Sequence, residues 1–279
     1  MTLDRTWLLG VARAEREALG RTIQYTPPEA WEADSVSPGW RNRDIVGHLA
    51  STEEAAAAVI AGEYPAEFEE YLKTIGRSDV PFGVDGFNEF AVKRRADQPF
   101  RSIVREWGRA ADLFLRLAAK ITDEEWTTRK VPWVGGDIGV GYLLQSRVME
   151  WWFHGEDILA GAGLPPRLEH PPIFCVNDLA VRTIPYALAI AGLSFPGKSV
   201  LVELEAVGGG TWHWGLAPRQ MPPPDKEPNA LIGGRAYAFA LVAGRRVPAE
   251  YYLAEGILLA GGDVALAETI LVHLRAFAA

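Results

Sequence analysis

Four prolines within ten residues constrain this chain more than any other feature: Pro165, Pro166, Pro171 and Pro172 in the segment GLPPRLEHPP. Proline lacks a backbone donor and fixes φ, so such a run breaks a helix and is a poor central strand. The hydrophobic period changes across it. Upstream, apolar residues recur three and four apart; downstream, runs such as Ser199–Ala206 alternate with period two. The pattern predicts an α-helical unit over 1–165 and an α+β unit over 166–279. A length of 279 residues is enough to bury two cores.

Four helices are expected upstream. Leu3, Trp7, Leu8, Val11, Ala14 and Leu19 mark the first, over 3–23. Ile45, Val46, Leu49 and Ala56–Ala58 mark the second, over 42–60, in which Gly47 costs about 1 kcal/mol against alanine and so signals a close approach. Ile103, Trp107, Ala110, Leu113 and Leu117 mark the third, over 101–121, and 138–161 is apolar on most faces. A four-helix bundle with a long second-to-third crossover is the simplest packing. Pro28 opens a short turn through Trp31, 62–100 reads as loops with one or two short helices, and 131–137 reads as a turn in which Asp137 or nearby backbone caps the next helix. Downstream, the pattern predicts a helix over 174–192 kinked at Pro185. A hairpin follows, from Ser199–Ala206 through Gly208–Gly210 to Thr211–Leu216. Then come a loop over 218–228, a strand and helix over 229–244, and a terminal helix over 263–278.

The formal net charge is −8, and most of the acidic excess lies before residue 166. No basic field is available to neutralise phosphates, which argues against nucleic acid and against an anionic membrane surface as partners. Cys175 is the only cysteine, so an intrachain disulfide and a four-thiolate zinc site are excluded. The first residues lack the pattern of a signal peptide, and no stretch reaches 18 uninterrupted apolar residues; a cytoplasmic protein is expected. No nucleophile elbow, P-loop or dinucleotide-binding fingerprint occurs.

Chemistry concentrates in the fourth helix. Glu150 and His154 are four residues apart, one turn above each other on one face, between the apolar Val148, Met149, Trp151, Trp152 and Phe153. A carboxylate and an imidazole on such a face need a reason to be there. His48 stands on a second apolar helix. If the two helices face one interior, the three side chains form a two-imidazole, one-carboxylate set suited to Zn²⁺ or a similar divalent ion with open positions. Asp157 lies on the same face and can orient a ligand or act as a base. The same spacing also serves an internal ion pair, and a lone histidine also serves a core. Asp44, Glu53 and Glu54 read as solvated, Trp151–Phe153 as bundle core, Cys175 as a buried inert thiol, and His170, His213 and His273 as surface or structural. Gly244-Arg245-Arg246 ends an apolar helix, where the arginines either clamp a carboxylate or satisfy helix carbonyls.

Pro38-Gly39-Trp40 followed by Asp44-Ile45-Val46-Gly47-His48-Leu49, and then Arg147 through Ile158 (RVMEWWFHGEDI), resembles the mycothiol-dependent maleylpyruvate isomerase family of the DinB-like metal-binding superfamily. Ala240-Leu241-Val242-Ala243-Gly244-Arg245 and Gly262-Asp263 are similar to that family's sterol-carrier-like C-terminal domain. The resemblance implies a DinB-like bundle holding a divalent ion, usually zinc, through His48, Glu150 and His154, with the second domain closing over a cleft. It implies a low-molecular-weight thiol such as mycothiol as cofactor and a small electrophilic metabolite as substrate. It puts Arg245 where the family's arginine helps bind thiol or substrate, with Arg246 beside it. A metal-held thiolate is a nucleophile at neutral pH without a protein cysteine, so the expected activity is S-transfer or cis-trans isomerisation by a monomer or homodimer. A metal-hydroxide hydrolase and a non-catalytic protein binding a metal and an apolar ligand are the alternatives.

Overall fold

In the computed structural model, which describes residues 3–75, 83–134, 136–218, 222 and 226–276, the chain divides into two compact units, with the boundary in the sequence between Arg167 and Leu168. The first helix starts where its sequence caps it: the Asp4 carboxylate accepts the Trp7 N–H at 2.8 Å, and α1 runs Arg5–Tyr25. A 3₁₀ turn, Pro28–Glu32, leads to α2, Asn42–Ala61. Asp44 secures that start by accepting the Arg41 N–H at 2.9 Å and the Arg41 guanidinium at 3.0 Å. The rest of the unit comprises α3 (Ala66–Leu72), α4 (Val84–Arg95), α5 (Phe100–Ala118), α6 (Asp123–Thr128), β1 (Lys130–Trp133), β2 (Gly136–Gly139) and α7 (Val140–Gly161).

Helix α2 packs against α5 and α7, and α1 against α7 and α5, making the expected four-helix bundle. Leu8, Leu19, Ile45, Leu49, Trp107, Phe114, Trp151 and Trp152 are buried in its core, each large apolar side chain contributing about 1.5–3 kcal/mol relative to exposure. The close approach at Gly47 is made by the crossover. A Cβ there would stand 3.3 Å from Cδ of Arg95 on α4 and 4.0 Å from Cγ2 of Ile103 on α5. Gly161 is tighter still: a Cβ there would collide with Asn42 Oδ1, where the end of α7 passes the start of α2. The crossover is more regular than loops alone. Buried Arg95 makes a two-pronged pair with Glu67 of α3 at 2.6 and 2.7 Å, and reaches Glu106 of α5 at 2.6 Å. One guanidinium thus ties three elements. Positions 76–82 of this stretch lie outside the described residues.

The expected turn at 131–137 is a short hairpin instead, with Val131 opposite Ile138 and Pro132 opposite Asp137. Asp137 therefore lies within β2, and Gly139 holds the N-cap position of α7 without a side-chain bond. Gly135 lies outside the described residues.

The second unit opens with α8, His170–Ile190, four residues before the expected start. Pro171 and Pro172 fall in its first turn, where no intrahelical partner is lost by the missing N–H, so this pair begins a helix. Pro185 lies inside α8, which continues through it. By length and composition α8 is apolar enough to span a membrane, but 67% of its most apolar window is buried within the fold, as in a core helix. Four strands follow, β3 (Ser199–Glu205), β4 (Gly210–Gly215), β5 (Ala230–Arg235) and β6 (Leu258–Gly262), in the spatial order β4-β3-β5-β6. The hairpin pairs Val200 with Trp214 and Val202 with Trp212, β3 and β5 run parallel, and β6 is antiparallel to β5. Helices α9 (Ala236–Ala243), α10 (Ala249–Ala254) and α11 (Val264–His273) complete this α+β unit. Val200, Val202, Ala230 and Ile232 are buried on one face of the sheet, while Leu231 and Leu259 are exposed on the other. Helix α11 ends at His273, short of 278. Positions 219–221 and 223–225 of the expected loop, and 277–278, lie outside the described residues.

Candidate metal centre

Helix α2 carries His48 and α7 carries Glu150 and His154, and bundle packing brings the three together. His48 Nε2 stands 3.4 Å and His154 Nε2 3.3 Å from the same oxygen, Oε2 of Glu150. One ligand atom from each side chain lies within 4.8 Å of the others, and the two imidazole centroids are 5.0 Å apart. Separations of 3.3–3.4 Å are long for N–H···O bonds. These two separations match the edge of a tetrahedron, since an ion with ligand bonds of about 2.0–2.1 Å spaces its donors by about 3.3–3.4 Å, and the third lies within 4.8 Å. The donor set therefore fits a divalent cation of the zinc type. His48 and His154 are buried, whereas the Glu150 side chain retains 21% exposure, so the carboxylate forms the open side of the cluster.

Asp157, one turn beyond His154, meets the Nδ1 of that ring at 2.9 Å with its own Oδ2. A carboxylate there accepts the Nδ1–H hydrogen bond and turns Nε2 toward Glu150; with an ion bound, Nε2 would present its lone pair to it, as in a carboxylate–histidine–metal chain. Electrostatics separate the two histidines. Burial pushes the His48 imidazole down and keeps it neutral, against the Glu150 hydrogen bond. Burial also acts on His154, but Asp157 and Glu150 together outweigh it and hold that ring up. For Glu150, burial opposes the charge, yet hydrogen bonds from His154 and His48 and the nearby Arg147 charge hold its carboxyl well below the usual range. The cluster stabilises positive charge between its carboxylates. The Trp40 indole, in the turn before α2, lies 5.3 Å from the His48 ring.

A second layer of polar side chains lies one turn away, and here the sequence reading needs correction. Glu53 is not solvated but fully buried. Its Oε1 accepts from Arg147 Nε at 2.9 Å and from Trp151 Nε1 at 2.8 Å, while burial pushes its carboxyl up against the pull of Arg147. Asp44 is likewise buried, in the helix cap described above. Glu54 is about half buried; burial raises its carboxyl, which accepts the Ala66 N–H. Arg147 and Thr52 carried no role in the sequence reading. Face arithmetic could have found them, since Arg147 precedes Glu150 by three residues and Thr52 follows His48 by four.

The clustered residues all belong to the first unit; Arg245 and Arg246 belong to the second. There α9 ends at Ala243 with Gly244 as its C-cap, Arg245 has left-handed backbone (φ 57°) and an exposed side chain, and the Arg246 guanidinium donates to the Gly244 carbonyl at 2.5 Å. Arg246 thus satisfies a helix-end carbonyl. Cys175 is buried in α8, and His213 bonds Ser199 Oγ at 3.0 Å.

Residues 12–159, more than half of the chain and including His48, Glu150 and His154, match the family described as mycothiol maleylpyruvate isomerase N-terminal domain. Uncharacterized proteins from two strains of Mycobacterium tuberculosis are 27% identical over 204 residues, covering 73% of this chain and 74% of theirs. The crystal structures of a mycothiol-dependent maleylpyruvate isomerase and of its histidine-to-alanine mutant superpose with a TM-score of 0.58 at 14% identity. They cover 87% of this chain and 90% of those chains. At that identity the likeness establishes a shared fold.

Proposed function

The chain belongs to the mycothiol maleylpyruvate isomerase family, and on that premise we propose that it is a metal- and thiol-dependent enzyme acting on a small electrophilic metabolite. The observation that carries the reading is the convergence of His48, Glu150 and His154 within 4.8 Å, with Asp157 on the back nitrogen of His154. A divalent ion such as zinc, when bound there, supplies the acidity that keeps a small thiol as thiolate at neutral pH.

The chain's own residues prepare that site. Burial keeps His48 a neutral donor, Asp157 fixes the tautomer and direction of His154, and Glu150 contributes negative charge on the open side. Trp151 and Trp152, both fully buried beside the ligands on α7, keep water from the rear of the cluster. Cys175 is buried, which supports a sulfur nucleophile brought by a small thiol of the mycothiol type. Isomerisation of an electrophile such as maleylpyruvate is the reading favoured by the family; S-transfer uses the same groups. Asp157 also stands ready to hold a proton through His154. For Arg245, the support is an exposed guanidinium just past the end of α9; we assign it to a carboxylate of thiol or substrate, with Arg246, which also bonds the Gly244 carbonyl, beside it. A soluble cytoplasmic setting and a monomer or homodimer belong to the same proposal.

The test is turnover of maleylpyruvate with and without mycothiol, followed by chromatography. The reading expects turnover only with the thiol, and its loss in His154→Ala. Turnover without thiol favours activation of water instead. Absence of turnover, with an apolar molecule co-purifying, favours a binding protein.

A further inference from the structure

The polar layer behind the metal ligands has a geometry that the proposed chemistry leaves unused. Arg147 is 2% exposed, on α7, one turn before Glu150; Glu53 is fully buried on α2. Two guanidinium nitrogens, Nε and Nη2, each lie 2.9 Å from Glu53 Oε1. Nη2 also donates to Thr52 Oγ1 at 3.2 Å. Thr52 in turn donates from that hydroxyl to the backbone carbonyl of His48 at 3.2 Å, with the Leu49 carbonyl at 3.3 Å. The Trp151 indole adds a further donor to Glu53 Oε1, and the Trp133 ring of β1 lies 5.7 Å from the guanidinium carbon. A continuous hydrogen-bonded path therefore runs from the backbone of one candidate ligand, His48, across the helix interface to the turn that carries another, Glu150.

We propose that Glu53, Arg147 and Thr52 form a clamp that fixes α2 against α7 so that His48 and Glu150 are held at cation-binding separation before any ion arrives. These are positioning residues and touch no reactant. The physical ground is that His48 and Glu150 sit on different helices, so their separation is set by how those helices register, unlike that of Glu150 and His154 on one helix. A small slide of α2 along α7 would open the His48–Glu150 distance while leaving the other unchanged. A buried ion pair is poor as a source of net stability, because desolvation offsets most of its attraction; holding a geometry is what its directional bonds do well. Outer hydrogen-bonding partners of metal ligands typically contribute 10–100-fold in affinity.

The inference rests on the metal-binding reading above, and the experiment separates the two. Zinc affinity is measured by competition with a chromophoric chelator, alongside the thermal midpoint of the metal-free protein. The double variant Glu53→Gln with Arg147→Met removes the pair without leaving a buried charge, and Gln still accepts the Trp151 N–H. The clamp predicts that zinc affinity falls about 10–100-fold while the metal-free midpoint stays within a few degrees of wild type. Thr52→Val, which keeps the shape and loses only the hydroxyl, serves where the double variant does not fold; it should weaken zinc binding, and Thr52→Ser should restore it. A falling midpoint with unchanged affinity, or a Ser variant no better than Val, overturns the clamp and leaves the metal site standing. Wild-type protein that binds no zinc overturns both.

Discussion

The two units bury polar groups very differently. Among the described residues, the first holds sixteen buried polar or charged side chains, including Glu15, Glu53, Glu67, Arg95, Arg147, Glu156 and Asp157; the second holds three, Asn177, Asp178 and Ser199. Burying a charge is expensive unless it is paired. In the first unit such groups form struts between elements: Arg95 with Glu67 and Glu106, Arg167 with Glu15 and Glu156, Arg147 with Glu53. In the second, an apolar sheet face and the helices packed on it seal the core. The helical unit thus has the architecture of a site that must be held in one shape, and the α+β unit that of a core held by apolar burial.

The largest effect on this contrast is expected at Arg95. Arg95→Met leaves Glu67 buried with its bidentate partner gone, and unfolding by denaturant should show a loss of about 3–5 kcal/mol; a loss under 1 kcal/mol would mean that the struts of the first unit are dispensable. Next comes Asp157→Asn. Removing the carboxylate behind His154 should weaken zinc binding about 10–100-fold in a chelator competition, with little change in the metal-free thermal midpoint. The second unit provides the opposing case. Asn177→Ala removes the donor to the Gly208 and Ala236 carbonyls, at 3.2 and 3.1 Å, and should cost about 1–2 kcal/mol of stability with zinc affinity unchanged. If affinity falls with it, the division of labour between the units is wrong. The smallest effect is expected at the surface: Arg5→Ala breaks a pair with the exposed Asp123 and should change stability by about 0.5 kcal/mol or less.

What could be read in the sequence followed the range of the interactions involved. The four bundle helices show in local apolar periodicity, and Glu150 and His154 are neighbours by helix geometry alone. That His48 joins them depends on packing between helices a hundred residues apart in the chain, and the resemblance to a known family pointed to it before any distance did. Glu53 was misread for a related reason. Helix α2 is buried on nearly every face between Asn42 and Ile60, enclosed by α4, α5 and α7, so no polar stripe marks a solvent side and a charged residue looks exposed in one dimension. Asp137 was misread because the partner of its strand, Pro132, lies across a tight hairpin. Strand β6 was missed since LLAGG has a weak β pattern; its register, Leu259 opposite Gly233 and Gly261 opposite Leu231, is imposed by β5. Pro171 and Pro172 were read as breakers, but the same ring that ends a helix is preorganised to start one.

The account stands or falls on whether the bundle interior takes up a cation. Elemental analysis of the purified chain, dialysed against zinc and then against metal-free buffer, measures this directly. The account predicts about one zinc per chain for the wild type and almost none for His48→Ala or Glu150→Ala. A wild type that retains no stoichiometric metal, or variants that retain as much as the wild type, would contradict it.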